Sequence, residues 1–298
     1  MALNIIETYR TGVCFVGDIH GEFKSLQGLM KRTEFTDTTY IICGDCGFGF
    51  EKDQHYANIF NRLTKTAASF NCEFLMLRGN HDDPAFFDGK RINRKYFKAI
   101  PDYTVIKTPL YNILCVGGAT SIDRTHRMVV TRQNVLKYAM YHGCSEDIAE
   151  RLCPQCYWPD EAPVYNEDAL NELNASGIKI DIVATHTCPS FCKPTTKDGI
   201  QYWLQYDPML EKTIDDERAV MDNIYNKLIA DGHPLQKWFY GHYHYHNQEY
   251  IDGVQYIMLD MWRNGNFDIY DFITLSEKYR TRLTDFLKEI KADNICRH

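Results

Sequence analysis

Long apolar runs are missing from this 298-residue sequence, and so are other features of membrane and low-complexity proteins. No apolar stretch approaches the roughly 18 residues that a membrane-spanning helix needs. The initial segment, MALNIIETYRTGV, lacks the basic stretch, apolar run and cleavage site of a signal peptide. Repeats, low-complexity tracts and Gly/Ser linkers are also absent. We therefore expect a cytoplasmic protein without a membrane partner, folded as a single domain over residues 1–298.

Positive charge is in short supply as well. Lysine and arginine number 33 against 40 aspartates and glutamates, which gives a formal net charge of −7. This balance disfavours broad attraction to DNA, RNA or an anionic membrane, so no strong nucleic-acid partner is expected. The 11 cysteines are an odd number in a long chain. That pattern favours reduced thiols over a disulfide framework.

Three apolar runs in the first half of the chain end in Gly-Asp or Gly-Asn: GVCFVGDIHG, TTYIICGDCG and CEFLMLRGNHDD. Helical patterns separate them, so they predict βαβ units, an α/β fold and a largely parallel sheet. IDIVATHTCP, KWFYGHYH, VQYIMLDMW and DIYDFITL read as further strands, and TVIKTP with YNILCVGGATS as a hairpin. Apolar residues at helical spacing predict helices over about 131–151, 208–231 and 275–291. Ligands bind at the carboxyl ends of parallel strands, and here those ends carry Asp, Asn or His.

One segment, residues 141–166, is rich in cysteine and proline and is predicted to be an insertion or lid over the domain. It contains His142, Cys144, Cys153 and Cys156, whose spacing could close a tetrahedral structural zinc site. A lone CxxC without a second pair is also compatible with ordinary thiols. Reduced cysteines are therefore the default interpretation, with the zinc site as the alternative.

Metal-ligand side chains follow successive strand-like runs. An Asp at a strand end is often only a helix cap or a turn former, and a single His can be a buried polar residue. Together, however, oxygen donors and imidazoles suit Mn, Fe or Zn better than Mg or Ca, and Mn is favoured. They are too many for one tetrahedral ion, so two divalent ions sharing a carboxylate are predicted. The donors are Asp18, His20, Asp45, Asn80, His81, His186, His242 and His244.

The ordered blocks GDIHG, GDCG, GNHD, THTCP and GHYH resemble the motif series of the calcineurin-like metallophosphoesterase superfamily. The resemblance runs from residue 17 to residue 244 and so covers most of the chain. It implies a four-layer αββα sandwich, in which two mixed β-sheets are flanked by helices. It also implies a dinuclear metal centre at the edge of the two sheets.

Carried over residue by residue, the resemblance gives each motif residue a role. The first ion would be held by Asp18, His20 and His244, the second by Asn80, His186 and His242, and Asp45 would bridge them. His81, which follows the ligand Asn80, is not a ligand in the family pattern; it could donate a proton to the leaving oxygen, and the alternative is a hydrogen bond to a metal-bound water. In the stretch HYHYH, residues 242–246, alternate histidines could line one face of a strand. His246 matches no family position and is predicted to be an ordinary polar residue.

The resemblance implies a phosphoesterase that hydrolyses a phosphomonoester or a small phosphodiester, such as a nucleotide, through a hydroxide between the ions. A nuclease of the same superfamily is an alternative, which the net charge disfavours. A non-catalytic metal-binding scaffold is a second alternative, although every ligand position is filled.

One departure bears on the substrate. Serine/threonine phosphatases of this superfamily carry GDxVDRG, but here Phe48 and Gly49 stand at the Asp and Arg positions, which disfavours a protein substrate. The loop GGATSIDRTHRM offers Arg124 as a replacement phosphate contact, because a planar guanidinium suits phosphate; a solvated surface arginine is the alternative. Trp158 and Tyr243 could stack a base or a sugar, or could be packing residues.

Overall fold

The computed structural model describes residues 3–153, 155–262 and 272–276. Twelve strands lie in this part of the chain. They are β1 (Ile5–Glu7), β2 (Gly12–Val16), β3 (Thr38–Ile42), β4 (Glu73–Met76), β5 (Phe97–Ala99), β6 (Thr104–Lys107), β7 (Asn112–Val116), β8 (Ile182–Thr185), β9 (Lys237–Tyr240), β10 (Asn247–Ile251), β11 (Val254–Met258) and β12 (Phe272–Thr274).

Seven α-helices and one short 3-10 helix (Pro84–Phe86) accompany these strands among the described residues. The helices are α1 (Ser25–Thr33), α2 (Asp53–Phe70), α3 (Arg124–His142), α4 (Glu146–Leu152), α5 (Glu167–Ala175), α6 (Ile200–Trp203) and α7 (Leu210–Ala230). Across the described ranges, no helix combines the length and the apolar character needed to cross a membrane.

Two mixed sheets form the framework. The five-stranded sheet has the order β12-β2-β3-β4-β5, in which β2 to β5 are parallel and β12 is antiparallel to β2. The seven-stranded sheet has the order β1-β6-β7-β8-β9-β11-β10, with β7, β8, β9 and β11 parallel. The hairpin predicted from TVIKTP and YNILCVGGATS is present as the antiparallel pair β6–β7.

The two sheets pack face to face through their alternate apolar residues. Val13 and Phe15 of β2 and Ile41 of β3 meet Ile113 of β7 and Phe239 of β9. The rings of Phe15 and Phe239 stack with their centroids 3.8 Å apart. Side chains alternate across a strand, so the other face of each sheet is free to bury helices. Fully burying one such side chain contributes about 1.5–3 kcal/mol.

Helices cover the outer faces of both sheets. The amphipathic helices α1 and α2 bury residues such as Leu29 and Phe60 against the five-stranded sheet. Helices α5 and α7 bury Leu173 and Met221 against the seven-stranded sheet. The layers therefore follow the order helix, sheet, sheet, helix, which confirms the predicted αββα sandwich.

Two local predictions differ from the structure. The helix predicted over 131–151 is two helices, because α3 begins earlier, at Arg124, and ends at His142, where Gly143 takes a positive φ of 60°. The histidines at 242–246 do not line a strand, since β9 ends at Tyr240. His242 and His244 have φ values of 70° and 61°, which are incompatible with an extended strand.

Three further predicted elements lie wholly, partly or hardly at all within the described residues. The helix predicted over 208–231 is present as α7, and the strand predicted from DIYDFITL is present as β12 over its described residues. The helix predicted over 275–291 lies mainly outside the described residues. Within the range 141–166 the structure shows α4 and extended loops, and α4 packs on α3 around a small cluster of Val135, Ala139 and Ala149.

Candidate metal centre

The seven predicted ligands all lie just beyond strand ends. Those of the five-stranded sheet follow β2, β3 and β4, and those of the seven-stranded sheet follow β8 and β9. Because these strands are parallel within each sheet, their carboxyl ends meet at one edge of the sandwich. The structure thus brings together residues that lie up to 226 positions apart in the chain, namely Asp18, His20, Asp45, Asn80, His186, His242 and His244.

One group of four ligands is compact enough to hold an ion as it stands. One ligand atom from each of Asp18, His20, Asp45 and His244 lies within 4.8 Å of all the others. His244 Nε2 is 3.3 Å from Asp18 Oδ2, and His20 Nε2 is 3.8 Å from Asp45 Oδ2. The two imidazole Nε2 atoms are 3.3 Å apart. Two carboxylates and two imidazoles facing one point form a donor set that suits a transition-metal ion or zinc.

A second group lies on the other side of Asp45. His186 Nε2 is 3.2 Å from Asp45 Oδ1 and 3.1 Å from Asn80 Oδ1. The His242 ring lies against that of His186, with the centroids 4.9 Å apart. Lys197 reaches the same place, with Nζ 3.2 Å from both ring nitrogens of His242. The two carboxylate oxygens of Asp45 therefore face two different groups of ligands.

The hydrogen bonds of His186 prepare it for coordination. Its Nδ1 lies 2.7 Å from the carbonyl oxygen of Cys43, so this nitrogen carries the proton and donates it. Nε2 faces Asp45 Oδ1 and Asn80 Oδ1, and loss of its proton to an incoming cation would free this nitrogen to bind the cation. Metal-binding histidines usually have such a backbone or carboxylate partner, which fixes their tautomer. This arrangement fits a metal ligand.

The electrostatics of the centre favour a bound cation. Asp18 and Asp45 are at most 1% exposed. Burial alone would raise the pKa of Asp45, but the neighbouring His186 and His81 lower it well below its ordinary value. Burial would also lower the pKa of His186, yet Asp45 and Asp18 raise it to about 9. The two buried carboxylates thus stay ionised and attract positive charge, as divalent ions would supply.

Two motif glycines are required by the close approach of ligands. A Cβ atom on Gly79 would overlap Asp45 Oδ1, and one on Gly241 would overlap Asp18 Oδ1. In both cases the glycine of one motif makes room for the carboxylate of another. The Gly in GNHD and the Gly in GHYH are therefore part of the site geometry.

Asp82 links two motifs, and the sequence interpretation missed it. Its buried carboxylate accepts four backbone hydrogen bonds of 2.7–2.9 Å, from the N–H groups of Cys46, Gly47, Phe48 and Gly79. Burial raises its pKa to about 6. These bonds fix the loop after β3 against the loop after β4, which carry the metal ligands. The sequence did offer one indication of this role, because Asp82 is the last residue of the GNHD motif.

The side chain of Asn80 is oriented by two residues that also went unrecognised. Its Nδ2 donates to Ser121 Oγ at 2.9 Å. Ser121 in turn donates to Glu161 through its backbone N–H at 2.6 Å and through Oγ at 2.7 Å. Glu161 is 2% exposed, and burial raises its pKa to about 7. This chain of bonds directs Asn80 Oδ1 towards His186.

His81 lies beside the centre rather than in it. Its backbone N–H donates to Asp45 Oδ1 at 2.8 Å, and its ring meets Arg127, whose Nη2 is 3.1 Å from Nδ1. Burial of the ring lowers its pKa to about 3, and the charge of Arg127 acts in the same direction. The imidazole is therefore neutral in this structure. Arg127 is thus the residue that orients His81.

The other residues that the sequence suggested for substrate binding contact residues outside the two ligand groups. Arg124 Nε contacts Asp207 at 2.5 Å and its Nη2 donates to Thr213 at 3.0 Å, so the structure places its guanidinium on α7 and the preceding loop. Its predicted role in substrate binding stays a prediction. The Trp158 ring meets that of Phe50 edge to face at 5.3 Å, and the hydroxyl of Tyr243 lies 3.1 Å from Thr187 Oγ1. Both rings are buried.

His246 and the cysteine-rich segment lie outside the ligand groups. His246 Nε2 is 3.1 Å from Gln248 Nε2. The structure does not bring three ligand atoms of His142, Cys144, Cys153 and Cys156 together within 4.8 Å, judged on the described residues. Cys144 and Cys153 instead pack near Ala149, and the ten cysteines described are free thiols.

Several solved structures resemble this fold at low sequence identity. A dimetal phosphatase from Danio rerio aligns at 12% identity and a TM-score of 0.42, over 89% of this chain and 92% of that chain. The calcineurin-like phosphoesterase YfkN from Bacillus subtilis aligns at 11% identity and a TM-score of 0.37, over 95% and 96% of the two chains. The phosphopantetheinyl hydrolase PptH from Mycobacterium tuberculosis aligns at 11% identity and a TM-score of 0.35, over 93% and 98%.

The sequence itself identifies the family. Residues 12–246 match the family model of calcineurin-like phosphoesterases. This range begins with β2 and ends just after the bend that carries His242 and His244. It therefore contains all seven candidate ligands as well as His81. The chain belongs to the calcineurin-like phosphoesterase family.

Proposed function

We propose that this protein is a dinuclear metal-dependent phosphoesterase that hydrolyses a phosphomonoester or a small phosphodiester. The observation that carries the proposal is the position of Asp45. One of its carboxylate oxygens faces the group that contains His20, and the other faces the group that contains His186. A carboxylate shared in this way is the natural bridge between two ions.

The residues fit a pair of divalent ions. Asp18, His20 and His244 would hold one ion, Asn80, His186 and His242 the other, and Asp45 would bridge them. Bound at these positions, the ions would supply a water of lowered pKa as nucleophile and neutralise charge on the phosphate. The mixed oxygen and nitrogen donors favour Mn, Fe or Zn, with Mn as the preferred choice.

The charges of the chain's own residues support an anionic substrate. Asn80 is a neutral ligand, so the two carboxylates of Asp18 and Asp45 leave a pair of divalent ions with net positive charge. Lys197 and Arg127 add two cationic side chains at the centre. A dianionic phosphate is attracted to such a site.

We assign to His81 the protonation of the leaving oxygen. The imidazole is neutral in this structure, and the negative charge of a bound phosphate would raise its pKa and so help it to take up a proton. Such proton transfer typically contributes 10²–10⁴-fold to the rate. In this proposal the Asp45 contact to the His81 backbone and the Arg127 contact to its ring keep the imidazole at the edge of the metal centre.

The space around the centre suits a small substrate. A cavity of about 390 Å³ is lined by His20, Phe50 and His81, and another of about 520 Å³ by Lys197 and His244. Small-molecule sites commonly occupy about 300–1,000 Å³. The family implies a phosphoester, and cavities of this size favour a small-molecule or nucleotide phosphoester over a folded protein substrate.

The proposal is tested by hydrolysis of phosphoesters after reconstitution with Mn²⁺. Metal-depleted protein should be inactive, and Mn²⁺ should restore cleavage of p-nitrophenyl phosphate or its bis-ester. Asp45→Asn should abolish this activity, whereas the control Asp216→Asn, on the exposed face of α7, should retain it. Cleavage of single-stranded DNA alone would favour a nuclease. Bound Mn²⁺ without hydrolysis of any ester would favour a scaffold and overturn the proposal.

A further inference from the structure

Arg127, the fourth residue of α3, presents a guanidinium to the edge of the metal centre. Its Nε donates to Asp123 Oδ1 at 2.8 Å, and its Nη1 donates to the carbonyl of Cys156 at 3.3 Å. Its Nη2 is the nitrogen that lies against His81. We propose that Arg127 binds a non-bridging phosphate oxygen and thereby makes phosphomonoesters the preferred substrates. This inference rests on the proposed phosphoesterase function.

The contacts of the guanidinium leave it with spare donors. A guanidinium has five N–H groups, and the bonds to Asp123, Cys156 and His81 use three of them. A neutral imidazole offers one lone pair, so it can accept from only one of the two N–H groups on Nη2. The second N–H of Nη2 therefore has no acceptor among the described residues. The side chain is only 12% exposed, so an oxygen acceptor from a ligand would satisfy a donor that water reaches poorly.

The anchoring of Arg127 suits it to hold an anion in a fixed place. Asp123 directly precedes α3, and its carboxylate holds the guanidinium through Nε. The carbonyl of Cys156 holds it from the cysteine-rich segment. A planar guanidinium that is fixed on two sides loses little side-chain freedom when it binds phosphate.

Other arginines near the strand ends are committed elsewhere. Arg124 is bound to Asp207 and Thr213. Arg78 is bound to Asp102 and to the carbonyl oxygens of Glu161 and Ala162. The loop after β3 has no room for a side chain at Gly49, where a Cβ atom would lie 2.6 Å from the Trp158 ring. Arg127, by contrast, contacts the ring of His81, the residue next to the predicted ligand Asn80.

The number of charged oxygens separates the two substrate classes. A phosphomonoester has three non-bridging oxygens that share its negative charge. In a phosphodiester one of these positions carries a second organic substituent and no charge. A guanidinium fixed beside the centre therefore gains a charge-assisted hydrogen bond with a monoester. With a diester it gains less and must also accommodate the substituent.

A matched set of arginine substitutions on one helix tests the inference. Arg127→Met should lower kcat/KM for p-nitrophenyl phosphate by roughly 10- to 100-fold, the effect of one charge-assisted hydrogen bond. The loss for bis-p-nitrophenyl phosphate should be only about 3-fold or less. The inhibition constant of inorganic phosphate should rise by about the same factor by which kcat/KM for p-nitrophenyl phosphate falls. Arg132→Met, at an exposed position of α3, is the control and should change none of these values.

Three results would overturn the inference. The first is an equal loss on both esters with unchanged phosphate inhibition, and the second is no loss on either. The third is a selective loss in Arg124→Met instead of Arg127→Met. Metal content and the thermal unfolding midpoint of each variant exclude misfolding, and Arg127→Lys should recover part of the monoester activity. If the wild-type protein hydrolyses no phosphoester, the proposed function has failed; if only the selectivity of Arg127→Met is missing, this inference alone has failed.

Discussion

Ser121 provides a way to perturb one metal ligand without touching any ligand. Its hydroxyl accepts a hydrogen bond from Asn80 Nδ2 at 2.9 Å and donates to Glu161 at 2.7 Å. Asn80 is 1% exposed, so water does not readily replace this partner. In Ser121→Ala the carboxamide of Asn80 loses the bond that keeps its oxygen towards His186. The flipped orientation would present an NH₂ group, which cannot bind a cation.

The expected magnitude follows from one lost hydrogen bond. A neutral side-chain hydrogen bond contributes about 0.5–1.5 kcal/mol, and 1.4 kcal/mol corresponds to about tenfold in an equilibrium constant. Ser121→Ala should therefore weaken one of two Mn²⁺ sites by up to about tenfold. Outer partners of metal ligands typically affect affinity by 10- to 100-fold. The other site, which contains His20 and His244, should keep its affinity.

Isothermal titration of the metal-depleted protein with Mn²⁺ measures both sites. Ser176→Ala is a matched control, because Ser176 is exposed and its Oγ contacts the backbone of Leu173 and Ile178 at the end of α5, where no predicted ligand lies. Two unchanged affinities in Ser121→Ala would refute the proposed orientation of Asn80. An equal weakening of both sites would also refute it, since the bond chain reaches only one ligand group.

Two further predictions concern His81 and Glu161. His81→Ala should retain both metal ions but lose about 10²-fold or more on an alkyl phosphate and much less on p-nitrophenyl phosphate, whose leaving group needs no proton; equal losses would show that His81 positions the substrate instead. Folding raises the pKa of Glu161 from an ordinary value of 4.5 to about 7. The folded state therefore holds this proton more tightly than the unfolded state, which stabilises the fold at low pH. This stabilisation is lost as the pH rises towards 7. Between pH 5 and pH 7 the stability of the metal-free wild type relative to Glu161→Gln should therefore fall by on the order of 2–3 kcal/mol, and a constant difference in denaturant titrations would contradict it.

The ligand set could be predicted from the sequence because each ligand follows an apolar run by one to four residues. Once those runs are parallel strands, their carboxyl ends must converge. The order of the motifs then assigns Asp18 and Asp45 to one sheet and His186 and His242 to the other. Periodicity and strand-end chemistry thus predict which donors converge, whereas their division into two ligand groups came from the family resemblance.

The surroundings of the ligands could not be predicted in the same way. Arg124 and Arg127 lie three residues apart, and local sequence gives no reason to prefer one. The structure shows that Arg124 binds Asp207, which lies 83 positions later, whereas Arg127 contacts His81. Glu161 similarly reaches Ser121 from 40 positions away. Such contacts depend on tertiary packing, which a single sequence does not specify.

The bend after β9 illustrates a conformational limit. Alternate histidines fit a strand pattern, yet His242 and His244 take left-handed backbone angles. A non-glycine residue pays a cost for this conformation, so local propensity would not have selected it. Contacts with Asp18 stabilise the bend, since the backbone N–H of His242 donates to its carboxylate at 3.1 Å.

The number of metal ions bound per chain tests the central claim most directly. Metal-depleted protein dialysed against Mn²⁺ and analysed by plasma mass spectrometry should contain about two ions per chain. Asn80→Ala should reduce this to about one, and Asp45→Asn, which removes the charge of the bridge, should leave one or none. A wild-type protein that binds a single ion, or an Asp45→Asn variant that still binds two, would contradict the assignment of Asp45 as the bridge of a dinuclear centre.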